Sequence, residues 1–387
     1  MSRLEVDEMH TPNARNKAST SLFALLFAAG LLVGALVTFY ITYQETNKLS
    51  DEVSNLQSQV SNLSGFQNAT YQNVTLYQNS TSSAAIYADT RESVVLVQGT
   101  TSDGAVQGSG FVYEFSDRMV VITNYHVVHG TSDISVTFSN GNGYSASVLG
   151  TDPYADLAVI SADAPANEYK PVEIVSSSTL RVGEPVIAIG NPYGLVGSLT
   201  TGVVSGLGRS ITEEDYAGGY SIANIIQTST PINPGNSGGP LLNAVGNVVG
   251  ITTAILSDSQ GLGFAVPSNT ILREIASLID PGTYSGHSYL GVSGQDMNYN
   301  TAQDISASVT YGWRVASVTA GGPSDGILNV GDIITALNGT PIRNNDALAS
   351  YLEEKTLPGQ SLVLTVVRGS STVDVTVILG TRPAPPV

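Results

Sequence analysis

Three short stretches carry side chains capable of nucleophilic catalysis. They are Thr123-Asn124-Tyr125-His126-Val127-Val128, the run from Asp152 to Val159 that contains Asp156, and Asn233-Pro234-Gly235-Asn236-Ser237-Gly238-Gly239-Pro240. A serine hydroxyl is a poor nucleophile at neutral pH. It needs a neighbouring base, usually histidine, and that histidine needs a carboxylate to orient it. Donors must also meet the oxyanion that forms on the substrate. The glycines around Ser237 let the backbone turn sharply, so the N–H groups of Gly235 and Ser237 can converge on one point. Each stretch alone also has a plain structural reading: a tight glycine hairpin, a histidine at a strand end, an aspartate in a turn. Their joint appearance in one segment favours chemistry.

Other residues compete for these roles. Of the four histidines, His10 lies before a long apolar run and His287 lies beyond the β-rich segment. His129 follows His126 by three positions, so on a strand the two would face opposite sides. Asp152 opens an Asp-Pro turn and Asp163 follows a strand-like run, whereas Asp156 leads directly into Leu157-Ala158-Val159-Ile160. An α/β-hydrolase also carries a G-x-S-x-G serine, but its histidine follows its serine. Here the order is His, Asp, Ser, and the flanks show no β–α alternation.

The elements that must position these residues are short. From Ser93 onward, apolar runs of four to eight residues alternate with turn signals, as in SVVLVQG, MVVITN, DLAVISA, PVIAIGN and LGFAVP. That spacing predicts an all-β barrel or sandwich. In this segment only Ser268 to Ile279 reads as a helix, with Ser268 or Asn269 as its cap. The chain has 387 residues, 42% of them hydrophobic, with 40 glycines and 17 prolines. It is long enough for two domains. The formal net charge of −17 disfavours nucleic acid and anionic surfaces. The absence of cysteine excludes disulfides, a cysteine nucleophile and cysteine-based zinc sites. No nucleotide-binding motif and no cofactor motif is present.

Residues 84–280 resemble the trypsin-like protease domain of the HtrA/Deg family. The likeness is carried by TNYHVV, ADLAV and INPGNSGGPLLN, with GNPYGL, TTGVVSGLGR and GFAVPSN between and after them. It implies a chymotrypsin-like double β-barrel, with His126 as general base, Asp156 as orienting carboxylate and Ser237 as nucleophile. It also implies an oxyanion hole from Gly235 and Ser237, with Asn236 as a further member. In trypsin-like proteases a basic-specific pocket needs an acid six residues before the serine; here that position is Pro231. With Ile232, Ile255 and Leu256, it suggests an apolar pocket for small or medium aliphatic side chains. Ser229 stands where many relatives have an acid. Arg209, just before the acidic segment SITEEDYAGGYS, matches an arginine that couples loop ordering to activation in relatives.

After a Pro/Gly/Ser linker, residues 285–383 resemble one small α+β PDZ domain. The signature is Gly331-Asp332-Ile333-Ile334 with Leu337-Asn338-Gly339. Such a module binds C-terminal peptides by adding a strand to its edge. Tyr289-Leu290-Gly291-Val292 would bind the carboxylate, and a helix from about Asn345 to Lys355 would form the other wall.

At the other end, the run from Ser21 to Ile41 has no charge and is long enough to cross a bilayer. Arg15 and Lys17 before it place the N-terminus in the cytoplasm. The organisation expected is a cytoplasmic tail (1–19), a transmembrane anchor (20–43) and a short helical stalk with a polar linker (44–83). The stalk carries an a/d seam of Leu49, Val53, Leu56, Val60 and Leu63. Glycosylation patterns begin at Asn62, Asn68, Asn73, Asn79 and Asn338. The function read from all this is an ATP-independent serine endopeptidase outside the cytoplasm. It acts on misfolded or exposed polypeptides, with PDZ-mediated peptide recognition and, by resemblance, a trimeric assembly. The rival readings are a chaperone or PDZ scaffold with weak proteolysis, and a dedicated protease for one membrane substrate.

Overall fold

The structure is a computed structural model of the whole chain. It describes residues 25–27, 29–30, 34, 36, 38–40, 42–50, 52–53, 82–102, 104–191, 197–213, 220–253 and 262–384. The chain divides into two units, Met1–Asn79 and Ser80–Val387. In the first, the described residues are helical and exposed, and Phe39 stacks on Tyr43 at 6.3 Å. Among the described residues no helix is long and apolar enough to cross a membrane. The expected anchor over 20–43 lies partly outside the described residues. So do Leu56, Val60, Leu63 and the patterns at Asn62, Asn68, Asn73 and Asn79; Leu49 and Val53 are exposed on the helix.

The second unit opens with helix α1 (Ser83–Thr90), which is capped by the Ser82 hydroxyl. A six-stranded closed barrel follows: β1 (Val94–Thr101), β2 (Gly104–Phe115), β3 (Arg118–Thr123), β4 (Ser132–Thr137), β5 (Gly143–Asp152) and β6 (Leu157–Ala162), in the order β1-β2-β3-β6-β5-β4. Helix α2 (Tyr125–Val128) is a single turn between β3 and β4. A second closed barrel comprises β7 (Pro185–Gly190), β8 (Ser198–Glu213), β9 (Tyr220–Thr228), β10 (Pro240–Leu242), β11 (Val248–Thr253) and β12 (Gly263–Pro267). Its order is β10-β11-β12-β9-β8-β7.

The uninterrupted apolar runs now have a physical reason. Alternate strand residues point to opposite faces, and here both faces are buried. In β3, Val121 faces the interior of the first barrel while Val120 and Ile122 face the core between the barrels. In β7, Val186 and Ala188 fill the second barrel while Ile187 and Ile189 join that same inter-barrel core. Helix α3 (Ser268–Ile279) packs Ile271, Ile275 and Leu278 there as well. Its expected caps do other work. Ser268 donates to the Val175 carbonyl and Asn269 accepts from the Ser177 N–H, so the helix start is stitched to the 175–178 segment instead.

The PDZ module has a five-strand path β14-β15-β16-β18-β19, formed by Val292–Asp296, Trp313–Val318, Ile333–Leu337, Ser361–Arg368 and Ser371–Ile378. Thr340–Pro341 (β17) pairs with β16, and Ser288–Tyr289 (β13) pairs with Gly380–Thr381 (β20). Helix α4 (Tyr299–Asp304) is short, and α5 (Asn345–Lys355) spans the range read from the sequence. Leu290, Trp313, Ile334, Leu348, Leu364 and Val377 form a separate core. Arg368 pairs with the buried Asp332 at 2.7 Å, which explains the aspartate of the Gly331-Asp332 signature.

Candidate active site

His126 does not sit on a strand. It lies in the helical turn α2, which His129 caps, so the two histidines are not placed on opposite faces of a strand. His129 Nδ1 is 2.5 Å from the Tyr125 hydroxyl. His126 Nδ1 lies 3.0 and 2.9 Å from the two carboxylate oxygens of Asp156, and its backbone N–H donates to Oδ1 at 3.0 Å. Asp156 reaches this position through a left-handed backbone (φ 48) at the end of the Pro153–Ala155 turn, immediately before β6. Its carboxylate is 3% exposed against 17% for the His126 side chain.

Two residues that sequence reasoning passed over complete the environment of Asp156. The Thr253 hydroxyl donates to Oδ2 at 2.9 Å, and the Asn124 amide donates to the Asp156 carbonyl at 2.8 Å. Asn124 stands inside the TNYHVV motif. Thr253 carries no local signal, because its partner is 97 positions away.

Ser237 is buried, on the loop between β9 and β10. That loop is clamped by Ser109, a third residue not foreseen. The Ser109 hydroxyl donates to the Gly235 carbonyl at 2.6 Å, and its N–H donates to the Ser237 carbonyl at 2.7 Å. Ser109 stands in Gly108-Ser109-Gly110, a glycine frame that marks close backbone approach. Gly235 has φ 98, and Gly238 has φ 86 with an ideal Cβ only 2.0 Å from the Ser109 carbonyl. Gly238→Ala should therefore displace the loop. The left-handed backbone alone costs about 1–2 kcal/mol, and the clash adds to it. The expected outcome is a lower unfolding midpoint together with a loss of turnover; thermal melts and kcat measured on one preparation check it.

The Asn236 N–H donates to the Asn233 carbonyl at 2.9 Å, so in this conformation it turns inward rather than toward a substrate. The Asn236 side chain is packed against Gly190. Among the pocket residues, Pro231 is exposed, whereas Ile232 packs on the interior of the second barrel. Ile255 and Leu256 lie outside the described residues. Arg209 on β8 is bonded to Gln227 and to Asp346 of α5, 3.4 Å away. Its expected neighbour segment is described only at its flanks. Tyr289, Leu290, Gly291 and Val292 line a groove of about 230 Å³ together with Leu348 and Leu352 of α5.

His287 and Asp152, set aside on sequence grounds, meet each other. His287 Nε2 is 2.6 Å from Asp152 Oδ2, and its Nδ1 is 3.0 Å from Glu353 Oε2. Burial alone would lower the imidazole, but the hydrogen bonds to Asp152 and Glu353 outweigh it and push it up to about 10. Burial would raise Glu353, yet His287 and Arg273 hold it down at about 2. Both partners point the same way, toward a charged pair. The raised histidine gives stability that is complete below its unfolded value of about 6.5 and is lost as pH rises toward about 10. The depressed glutamate gives stability present above 4.5 and lost as pH falls through about 2. The unfolding temperature should thus decline between pH 7 and 10, and His287→Gln should flatten that decline; melts across a pH series check it.

A double antiparallel barrel with a histidine–carboxylate pair at its mouth, joined to a peptide-groove module, defines the class of trypsin-like peptidases carrying a PDZ domain. Residues 108–251 match the family described as trypsin-like peptidase domain, and residues 288–379 match the PDZ domain. The chain is 37% identical over 291 residues to "Protease Do-like 1, chloroplastic" of Arabidopsis thaliana, across 71% of this chain and 64% of that one. It is 36% identical over 282 residues to "Putative serine protease HhoA" of Synechocystis sp. (strain ATCC 27184 / PCC 6803 / Kazusa), across 70% of each. Among solved structures it resembles "HtrA-type protease AlgW with tripeptide" at 30% identity and a TM-score of 0.64, covering 79% of this chain and 99% of that one. The chain belongs to the HtrA/Deg family of serine proteases. It spans 64% and 54% of the length of the first two curated relatives it matches.

Proposed function

We propose that the chain is an ATP-independent serine endopeptidase acting outside the cytoplasm on misfolded or exposed polypeptides. The observation that carries this reading is the two-pronged contact of His126 Nδ1 with the Asp156 carboxylate. An imidazole whose Nδ1–H is held by a carboxylate presents Nε2 as the proton acceptor. In this reading the Ser237 hydroxyl attacks the scissile carbonyl carbon as its proton passes to His126 Nε2. The negative charge collects on the former carbonyl oxygen, facing the N–H groups of Gly235 and Ser237. The C–N bond then breaks, with the proton returned from His126 to the leaving amine. Water repeats the sequence on the acyl-enzyme and frees Ser237. Asn236 is assigned no donor role, because its N–H is engaged by Asn233.

The PDZ groove supplies recruitment or regulation by C-terminal peptides. Pro231 and Ile232, with Ile255 and Leu256, form a pocket for small or medium aliphatic side chains. Arg209 couples the β8–β9 segment to the PDZ helix through Asp346. Residues 20–43 anchor the chain once in the membrane with its N-terminus in the cytoplasm, and the protease assembles as a trimer. Labelling with a fluorophosphonate tests the central assignment. The modified peptide recovered after digestion should contain Ser237 at one label per chain. Labelling of another serine, or none in a folded preparation, would sink it.

A further inference from the structure

The protease barrels and the PDZ module meet at a buried charged cluster that the triad does not use. His287 lies in the segment joining the two folds and is 4% exposed. Carboxylates approach both of its ring nitrogens: Asp152 from the end of β5 and Glu353 from α5. An imidazole that donates from both nitrogens is a cation. Arg273 of α3 bonds Glu274 at 2.5 Å and also bonds Glu353. Tyr154 and Tyr284 close the cluster edge-on to the His287 ring.

Asp152 has two oxygens with different tasks. Oδ2 meets His287, while Oδ1 accepts the Tyr154 N–H at 2.9 Å and so caps the Pro153–Ala155 turn. That turn is closed by the Asp156 N–H on the Pro153 carbonyl and delivers Asp156 in its left-handed conformation. On the other side, Glu353 is part of the wall of the PDZ groove beside Leu352 and Leu348. An unbroken set of polar contacts therefore runs from the groove wall through His287 to the turn that presents Asp156. Asp152, Glu274 and His287 also bring ligand-type atoms within 4.8 Å of one another. Yet the 2.6 Å between His287 and Asp152 is a hydrogen-bond separation, and burial beside the Asp152 charge pushes the Glu274 carboxyl well up, toward its neutral form. A divalent cation fits this cluster less well than protons do.

On the triad reading given above, we propose that His287 is a positioning residue for Asp156. By holding Asp152 it fixes the turn that presents Asp156 to His126, and by holding Glu353 it ties that turn to the PDZ groove. The orientation of Asp156 thereby depends on where α5 sits. Loss of His287 frees the Asp152 carboxylate to rotate, so the cost falls on the chemical step rather than on substrate binding.

The test uses the full chain and compares wild type, His287→Gln and Asp152→Asn. A glutamine amide can serve Asp152 or Glu353 but not both; Asp152→Asn keeps the cap and weakens the His287 bond. Fluorophosphonate labelling separates the number of competent sites (amplitude) from their reactivity (rate constant). The rate constant and kcat on an unfolded protein substrate should fall about tenfold or more, with KM within about threefold and amplitude retained, as small misplacements cost. A rate within about twofold of wild type, or a loss confined to amplitude, overturns the proposal. If His287→Gln does not fold, Asp152→Asn is read by the same criteria. A synthetic decapeptide ending in valine with a free carboxylate should change the labelling rate of wild type and not of His287→Gln. A wild-type rate indifferent to that peptide, or a response that survives the substitution, overturns the tie to the groove. Ser237→Ala is the control: labelling that persists there refutes the triad reading itself, whatever His287 does.

Discussion

Replacing Ser237 with alanine should lower kcat on an unfolded protein by about 10⁶-fold, the loss seen when a triad nucleophile is removed. The fold should survive. The contact that anchors this position is made by the Ser237 backbone carbonyl, which accepts the Ser109 N–H, and alanine keeps that carbonyl and the Cβ. The loop is further held at Gly235 by the Ser109 hydroxyl and at Asn236 by the Thr252 hydroxyl, neither of which involves the Ser237 side chain. The variant should melt close to wild type while cleavage disappears. Residual turnover above water is expected from the donors of Gly235 and Ser237, which remain. Equal degradation of the unfolded substrate by the variant would remove Ser237 from the mechanism.

The parts of this molecule legible in its sequence are those whose physics is local. The runs MVVITN and DLAVISA read as strands because β-branched residues bounded by turn signals leave few options, and both are strands here. The helix at Asn345–Lys355 and the Gly331-Asp332 signature likewise lie within one stretch of chain. What stayed hidden depends on chain segments far apart. Thr253 meets Asp156 across 97 residues, Ser109 meets Gly235 across 126, and His287 meets Asp152 across 135. No periodicity or spacing encodes such pairings. Two local errors had physical causes too. The turn at Tyr125–Val128 is valine-rich and imitates a strand, yet its end is tied down by the His129 N–H on the Tyr125 carbonyl. The side chains of Ser268 and Asn269 found partners across space before they could cap α3.

Asp156→Asn should be nearly as damaging as loss of the nucleophile, although it changes no volume. The Asp156 carboxylate only accepts hydrogen bonds here: from the His126 N–H and Nδ1–H, and from the Thr253 hydroxyl. An asparagine must place an NH₂ at one of those two corners. At the Oδ1 corner it would face the His126 backbone N–H, donor against donor. The amide therefore turns its NH₂ to the Oδ2 corner, where Thr253 can rotate its hydroxyl and accept. That corner also faces His126 Nδ1, 2.9 Å away. The imidazole then relieves the conflict by moving its proton to Nε2 and offering Nδ1 as the acceptor. With Nε2 protonated it cannot take the proton of Ser237, so kcat should fall by about 10⁴-fold, the size associated with the wrong tautomer. KM should change little, because the Asp156 carboxylate is buried and meets His126 at Nδ1, the nitrogen that does not exchange a proton with Ser237. Part of the activity should return as pH rises and deprotonated serine becomes accessible without the base. A log–log slope near one in kcat against pH, in place of the wild-type plateau, would identify this cause. A flat profile at the lowered rate would instead mean that the substitution acts by displacing the loop.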